Sequence, residues 1–262
     1  DTKKDLFTRK ERTIYKLGGA ALHHASALIF STTWQRDIFV KAYDLDTNKN
    51  FIVENYCGAR KGAVESEGRV YLASTRELKW KNLDLLRAAF KQAQEKVKGL
   101  GLEDIELDTG KAMYDNFVER MSRAYCVVLA SLGDISPNMI FDAIRVGVPF
   151  IVTEEVGTKD RIKDCAIFVN PRDPKDIADK IAWMADPANR AAQAEKVRIL
   201  ANARKHRLPL PLMLDAQQVD HVCALDGLVD LGLLGVPGVQ ILQVGCEIDL
   251  DRVQTPTACR CT

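Results

Sequence analysis

From residue 27 to residue 205, short β-rich runs alternate with stretches of helical spacing, and this alternation confines the chain to one class of fold. The runs fall at 27–31, 51–53, 69–74, 105–107, 126–130, 148–152 and 166–169. Each is short and rich in Val, Ile, Leu, Phe or Tyr. Between them, Leu83, Leu85, Leu86, Ala89, Phe90 and Ala93 recur as one helical face over 81–97, and Gly99 and Gly101 stop it. Met113, Phe117 and Met121 mark a second helix. Ser136 as N-cap with Pro137 at the first helical position predicts a third, closed by Gly147. Asp173-Pro174 and Asp186-Pro187 open two more. Strands separated by helices pack as a doubly wound parallel sheet, so the expected class is α/β and Rossmann-like.

Charge and cysteine usage narrow the partners. Lys plus Arg is 37 against 36 for Asp plus Glu, a net charge of +1, which gives no reason to expect nucleic acid. Seven cysteines with no C-x-x-C pair support neither a disulfide framework nor a zinc ribbon. Neither His23-His24 nor Cys259-x-Cys261 has the partners of a metal site. Asp1-Thr2-Lys3-Lys4-Asp5 carries no apolar h-region, and the most apolar window, 227–245, is broken by Asp230, Pro237 and several glycines. The expectation is a cytoplasmic chain with no integral membrane segment, and no metal or cofactor.

Composition shifts abruptly near His206. All 18 aromatics and all the lysines precede it; residues 206–262 hold none of either, with seven acids against three arginines. A core without one aromatic is unusual. This stretch is either a small Leu/Val-packed appendage or an irregular, out-of-frame tail, and the second reading is preferred.

In a doubly wound sheet, ligands bind beyond the carboxyl ends of the strands. The loops at 74–81, 108–111, 131–138 and 153–158 are therefore the candidates. No G-x-G-x-x-G, Walker P-loop or G-x-S-x-G occurs in them. Arg76 and Lys81 lie after a strand and before a helix, where guanidinium and ammonium suit a diphosphate. A solvated basic loop is the alternative, since Lys79 is also present. Asp134 lies in the next such loop and Asp142 within the helix that follows. The helix start offers amides to an anion, and a carboxylate inside the helix suits vicinal hydroxyls such as those of a ribose. The alternative is two ordinary acids near a helix start. Trp80 and Trp183 read as packing residues.

These features resemble the donor half of a GT-B glycosyltransferase of the group-1 class (family four). The family pattern is a strand, then G-R-x(4,5)-K-[GN], then a helix; 71–84 fits it with Arg76 and Lys81. The family's E-x(7)-E followed by E-A-x-x-x-G-x-P is matched by Asp134-x(7)-Asp142 and Asp142-Ala143-x-x-x-Gly147-x-Pro149. Both family glutamates are aspartates here, one methylene shorter, and the family's glycine loop reads Ile135, Ser136, Pro137. Thr153 to Gly157 resembles the loop that closes over the donor sugar.

The resemblance implies a donor-binding domain over 56–205, a remnant of the acceptor-side domain and linker over 1–55, and an atypical tail over 206–262. It implies transfer of a glycosyl group, with retention, from a nucleotide-diphosphate sugar to an unknown acceptor: a glycan, a lipid or a small molecule. Arg76, Lys81 and Asp134 would act at the reacting centre. Gly110 and Lys111 would lie near the base, Ser136 and Asn138 near the sugar phosphate, and Asp142 on the ribose. With most of the acceptor side missing in this reading, the chain by itself is expected to bind nucleotide without transferring the sugar; the alternative is a non-catalytic nucleotide-binding module or an inactive fragment of the same fold. In that fragment reading the strand at 27–30 lacks its neighbours, so it frays or docks on the donor sheet.

Overall fold

A computed structural model of the chain describes residues 9–53, 66, 68–74, 77–205 and 241–243. In order, the elements are α1 (Arg9–His24), β1 (Ala27–Phe30), α2 (Thr33–Tyr43), β2 (Asn50–Ile52), β3 (Val70–Ala73), α3 (Leu83–Gly99), β4 (Glu106–Asp108), α4 (Tyr114–Ser122), β5 (Cys126–Leu129), α5 (Asn138–Val146), β6 (Phe150–Thr153), α6 (Lys159–Ile162), β7 (Ile167–Val169), α7 (Pro174–Met184), α8 (Pro187–Lys205) and β8 (Ile241–Gln243). They divide into two units, one of Asp1–Glu54 with Gly238–Thr262 and one of Asn55–Pro237.

In the smaller unit, β1 lies between β2 and β8, parallel to both. Leu28 and Phe30 point from it into a cluster with Leu22, Ala25 and Leu45. Thr32 caps α2, its hydroxyl accepting from the Gln35 amide at 3.0 Å. The expectation that β1 frays or joins the donor sheet is therefore corrected: its two edges pair with β2 and β8. Residues 241–243 supply one of those partners. The rest of 206–262 lies outside the described residues.

The larger unit carries a five-stranded parallel sheet in the order β4-β3-β5-β6-β7. This is the doubly wound α/β architecture read from the alternation. Strand side chains alternate between two buried faces. Tyr71, Ala73, Cys126, Val128 and Ile151 face α3 and α7, where Leu86, Ala89, Phe90, Ile177 and Ile181 meet them. Leu72, Val127, Leu129, Phe150 and Val152 face the other way, onto Val118, Met121, Ile140, Ile144 and Val197 of α4, α5 and α8. Both faces are covered at β3, β5 and β6, so those strands read as continuous apolar runs. Each large side chain buried in this way contributes about 1.5–3 kcal/mol.

Polar anchors fix α7 beneath the sheet. The Tyr71 hydroxyl donates to the Ile181 carbonyl at 3.1 Å, and the Tyr125 hydroxyl to the Ala185 carbonyl at 3.2 Å. Arg69 donates to the same Ala185 carbonyl at 2.7 Å. The Ala185 carbonyl, at the C-cap, thus gains two partners, and the Ile181 carbonyl, which already accepts from the Ala185 amide at 3.1 Å, gains a second. Burial pushes both phenols' pKa up, so they remain neutral donors.

The topology also fixes where a ligand can lie. From β3 the chain leaves through α3 to the edge strand β4, then returns through α4 to β5 on the other side of β3. Between β3 and β5 the connections depart to opposite faces. That divergence opens a crevice at the carboxyl ends of the two strands.

Candidate functional site

The loop after β3 is shaped by one asparagine. The chain makes a 3-10 turn at Lys79–Lys81, and Asn82 then adopts φ 56° and ψ 34°, the left-handed region. Asn tolerates that conformation better than most residues. Its side-chain amide does not cap α3 but donates to the carbonyls of Ala130, at 3.1 Å, and Pro171, at 2.7 Å. The loop after β3 is thus tied to the chain just beyond β5 and β7. A further bond runs from the Leu132 amide to the Trp80 carbonyl at 2.8 Å. The helix read from residue 81 begins two residues later because the turn and Asn82 come first.

This loop delivers Lys81 to the crevice. Its Nζ donates to Asp134 Oδ2 at 2.8 Å, and the two side chains are only 16% and 13% exposed. Asp134 is itself fixed through its backbone. It bridges to Val156, its amide donates to the Glu155 carbonyl at 2.9 Å, and its carbonyl accepts from the Gly157 amide at 2.9 Å. The loop after β5 and the loop after β6 are stitched together at the position of the ion pair.

Beyond it, α5 starts one residue later than the Ser-Pro signal predicts. Pro137, with φ −70° and ψ 108°, is the N-cap rather than the first helical residue, and no side chain caps the helix. The Pro137 carbonyl accepts from the Ile140 amide at 3.0 Å. Ser136 is buried ahead of it instead of capping. The first turn of α5 contains no acid, so no carboxylate of that turn offsets its positive end. Gly147, at φ 80°, closes the helix as expected.

Asp142 lies on α5 at 3% exposure. The Tyr114 hydroxyl stands 3.0 Å and 3.1 Å from its two carboxylate oxygens, and Arg145 Nη1 donates to Oδ1 at 2.9 Å. Gly110 belongs to a separate knot. Its amide donates to Asp108 Oδ1 at 2.8 Å, and its carbonyl accepts from Arg120 Nη1 at 2.9 Å. Arg120 also pairs with Asp108. A Cβ on Gly110 would lie 3.2 Å from Asp108 Oδ1, tighter than ordinary contact. Lys111 follows it, exposed.

Of the residues read from sequence, the structure brings Lys81 onto Asp134 and places Asn138 at the first turn of α5. Asp142 is buried under Tyr114, and Gly110 and Lys111 lie in the loop after β4. Arg76 lies outside the described residues. Tyr114 was not among the expected site residues. Its only sequence signal is a hydroxyl-bearing residue opening a helix at the carboxyl edge of the sheet. Among the described residues, no three His, Cys, Asp or Glu side chains gather as a metal site. No helix among them is long and apolar enough to cross a membrane.

Residues 69–186 match the family described as Glycosyl transferases group 1. The matched segment, less than half of the chain, is similar to that family. It spans β3 to the end of α7 and contains Lys81, Asp134 and Asp142. Solved structures share the architecture. Sucrose-phosphate synthase (tll1590) from Thermosynechococcus elongatus superposes with a TM-score of 0.61 at 16% identity, over 84% of this chain and 62% of that one. WaaG, a glycosyltransferase involved in lipopolysaccharide biosynthesis, gives 0.60 at 15% identity, over 82% and 68%. Anabaena Alr3699/HepE, solved in complex with UDP-glucose, gives 0.59 at 15%, over 84% and 69%. At such identities the likeness is one of fold, the GT-B type. The chain spans less than two thirds of the sucrose-phosphate synthase chain. No curated protein sequence matches it.

Proposed function

We propose that this segment is a glycosyltransferase domain that binds a nucleoside-diphosphate sugar at the carboxyl edge between β3 and β5 and transfers its glycosyl group, with retention, to an acceptor. The observation that carries the reading is the Lys81–Asp134 pair, a half-hidden cation held at the topological switch point inside the matched segment. A lysine there is a point charge suited to phosphate oxygens. Arg76, which the resemblance pairs with Lys81, would add bidentate contacts. The start of α5 faces the same edge with no acid in its first turn.

The chemical work follows from charge. In the transfer, the bond from the anomeric carbon to the diphosphate oxygen breaks with its electron pair leaving on the diphosphate, an acceptor hydroxyl oxygen bonds to the anomeric carbon, and that hydroxyl's proton passes to the departing diphosphate. Cations at the diphosphate stabilise that developing charge once Lys81 has exchanged Asp134 for the phosphate. Lys81, Arg76 and the helix start supply them from the chain itself. Asp134, released from Lys81 when phosphate arrives, stands beside the sugar. Asp142 serves the ribose side.

The test is to incubate the chain with UDP-, ADP- and GDP-linked sugars and measure release of nucleoside diphosphate, following the anomer formed by NMR. Release that retains the anomeric configuration and is lost in Lys81→Ala supports the reading. Absence of release from every donor, with no binding of any nucleoside diphosphate, would contradict it.

A further inference from the structure

Asp142 is too deeply covered to be the surface that a ribose meets. It is 3% exposed, and as an aspartate it reaches one methylene less far than the glutamate of the resembled pattern. What covers it is itself half open. Tyr114 is 52% exposed, and its hydroxyl lies 3.0 Å and 3.1 Å from the two Asp142 oxygens. Arg145, one turn further along α5, holds Oδ1 from the other side at 2.9 Å. Tyr114 opens α4 directly after the loop carrying Gly110 and Lys111, and Met113 beside it is 80% exposed. An exposed tyrosine is thus anchored by its hydroxyl to a buried carboxylate at the ligand-binding edge of the sheet.

The chemistry of that contact has a direction. A carboxylate only accepts, so the phenol donates to it. A hydroxyl that donates to an anion becomes a stronger acceptor through its own oxygen, because the two bonds polarise each other.

We propose that Tyr114 is the residue that contacts the donor's ribose, with Asp142 as the buried base of a relay. A ribose hydroxyl donates to the Tyr114 oxygen, and Tyr114 donates to Asp142. The phenol makes up the reach that the shorter acid lacks, and Arg145 holds the acid in register. This rests on the nucleotide-sugar reading of the site.

The test is calorimetric titration of the intact chain. The probes are whichever of UDP, ADP and GDP binds most tightly, its 2′,3′-dideoxy counterpart and inorganic pyrophosphate. The variants are Tyr114→Phe and Asp142→Asn. Tyr114→Phe is expected to weaken nucleoside diphosphate binding about tenfold, the size of one hydrogen bond to a charged network. It should leave pyrophosphate unchanged and abolish the preference for the ribose form over the dideoxy form. Asp142→Asn, which leaves an acceptor for the phenol but removes the charge, should shift the same preference by less. Wild-type ribose preference in Tyr114→Phe overturns the relay alone. An equal loss for pyrophosphate also overturns it, since the effect would then be general. If the wild-type chain binds neither nucleotide nor pyrophosphate, the nucleotide reading fails and the relay with it.

Discussion

Lys81 and Asp134 are each other's counter-ion, which gives mutations at the two positions opposite signs. An incoming diphosphate must take the ammonium from the carboxylate. Lys81→Ala removes a charge-assisted contact and should weaken pyrophosphate binding by about tenfold or more. Asp134→Asn removes the internal competitor and should tighten pyrophosphate binding while reducing glycosyl transfer. Calorimetry on both variants checks the signs, and equal losses in both would mean the pair acts through folding alone. The two residues were legible in the sequence as loop residues beyond strand ends, but their contact was not. They are 53 positions apart, and only the adjacency of β3 and β5 brings them together. Tyr114 was illegible for a related reason: its partner lies 28 positions away on another helix. Cys126 illustrates the opposite case. It sits in a strand and is fully buried, and burial pushes its thiol pKa up, so it should resist alkylating reagents until the domain unfolds.

At the scale of elements, Asn82 and Asp179 carry separable predictions. Asn82 combines a left-handed backbone with two side-chain bonds to neighbouring loops. Asn82→Gly keeps the backbone and loses the bonds; Asn82→Ala loses the bonds and strains the backbone. Ala should therefore be less stable than Gly by about 1 kcal/mol, measured by denaturant unfolding. Asp179 on α7 bonds Lys175 at 2.7 Å and also Lys96 of α3. Those bonds, Lys175 first and then Lys96, hold its carboxyl down to about 2. A lowered folded pKa adds stability that is complete above the ordinary carboxylate range and is lost as pH falls toward 2. Asp179→Asn should lower Tm slightly at pH 6, and the difference should close on acidification; the pair is exposed, so the effect is small. The inner strands β3, β5 and β6 were readable because each is a run of apolar residues buried on both faces, whereas the edge strand β4, Glu106-Leu107-Asp108, is neither an apolar run nor buried. The start of α5 was not readable, because Ser136-Pro137 also fits an extended Pro137, and backbone ψ alone separates the two. The pairing of β8 with β1 was hidden because Ile241-Leu242-Gln243 is short and lies far from its partner in sequence.

At the scale of the molecule, every described residue of the candidate site belongs to the unit Asn55–Pro237, whereas β1, β2 and β8 belong to the other. Removing residues 238–262, which belong to the unit of β1 and β2, should therefore leave nucleotide affinity unchanged, while amides of β1 lose protection in hydrogen exchange. A fall in affinity would show that the site draws on that segment. We propose above all that the β3–β5 edge of the segment similar to group 1 glycosyl transferases holds a nucleoside-diphosphate sugar through Lys81. Titration of UDP-, ADP- and GDP-linked sugars into the wild-type chain and Lys81→Ala, with Tm recorded for both, tests it most directly. At least one donor is expected to bind the wild-type chain, and Lys81→Ala to weaken it by about tenfold or more with little change in Tm. Equal affinity in both proteins, or no donor bound by the wild-type chain, would contradict it.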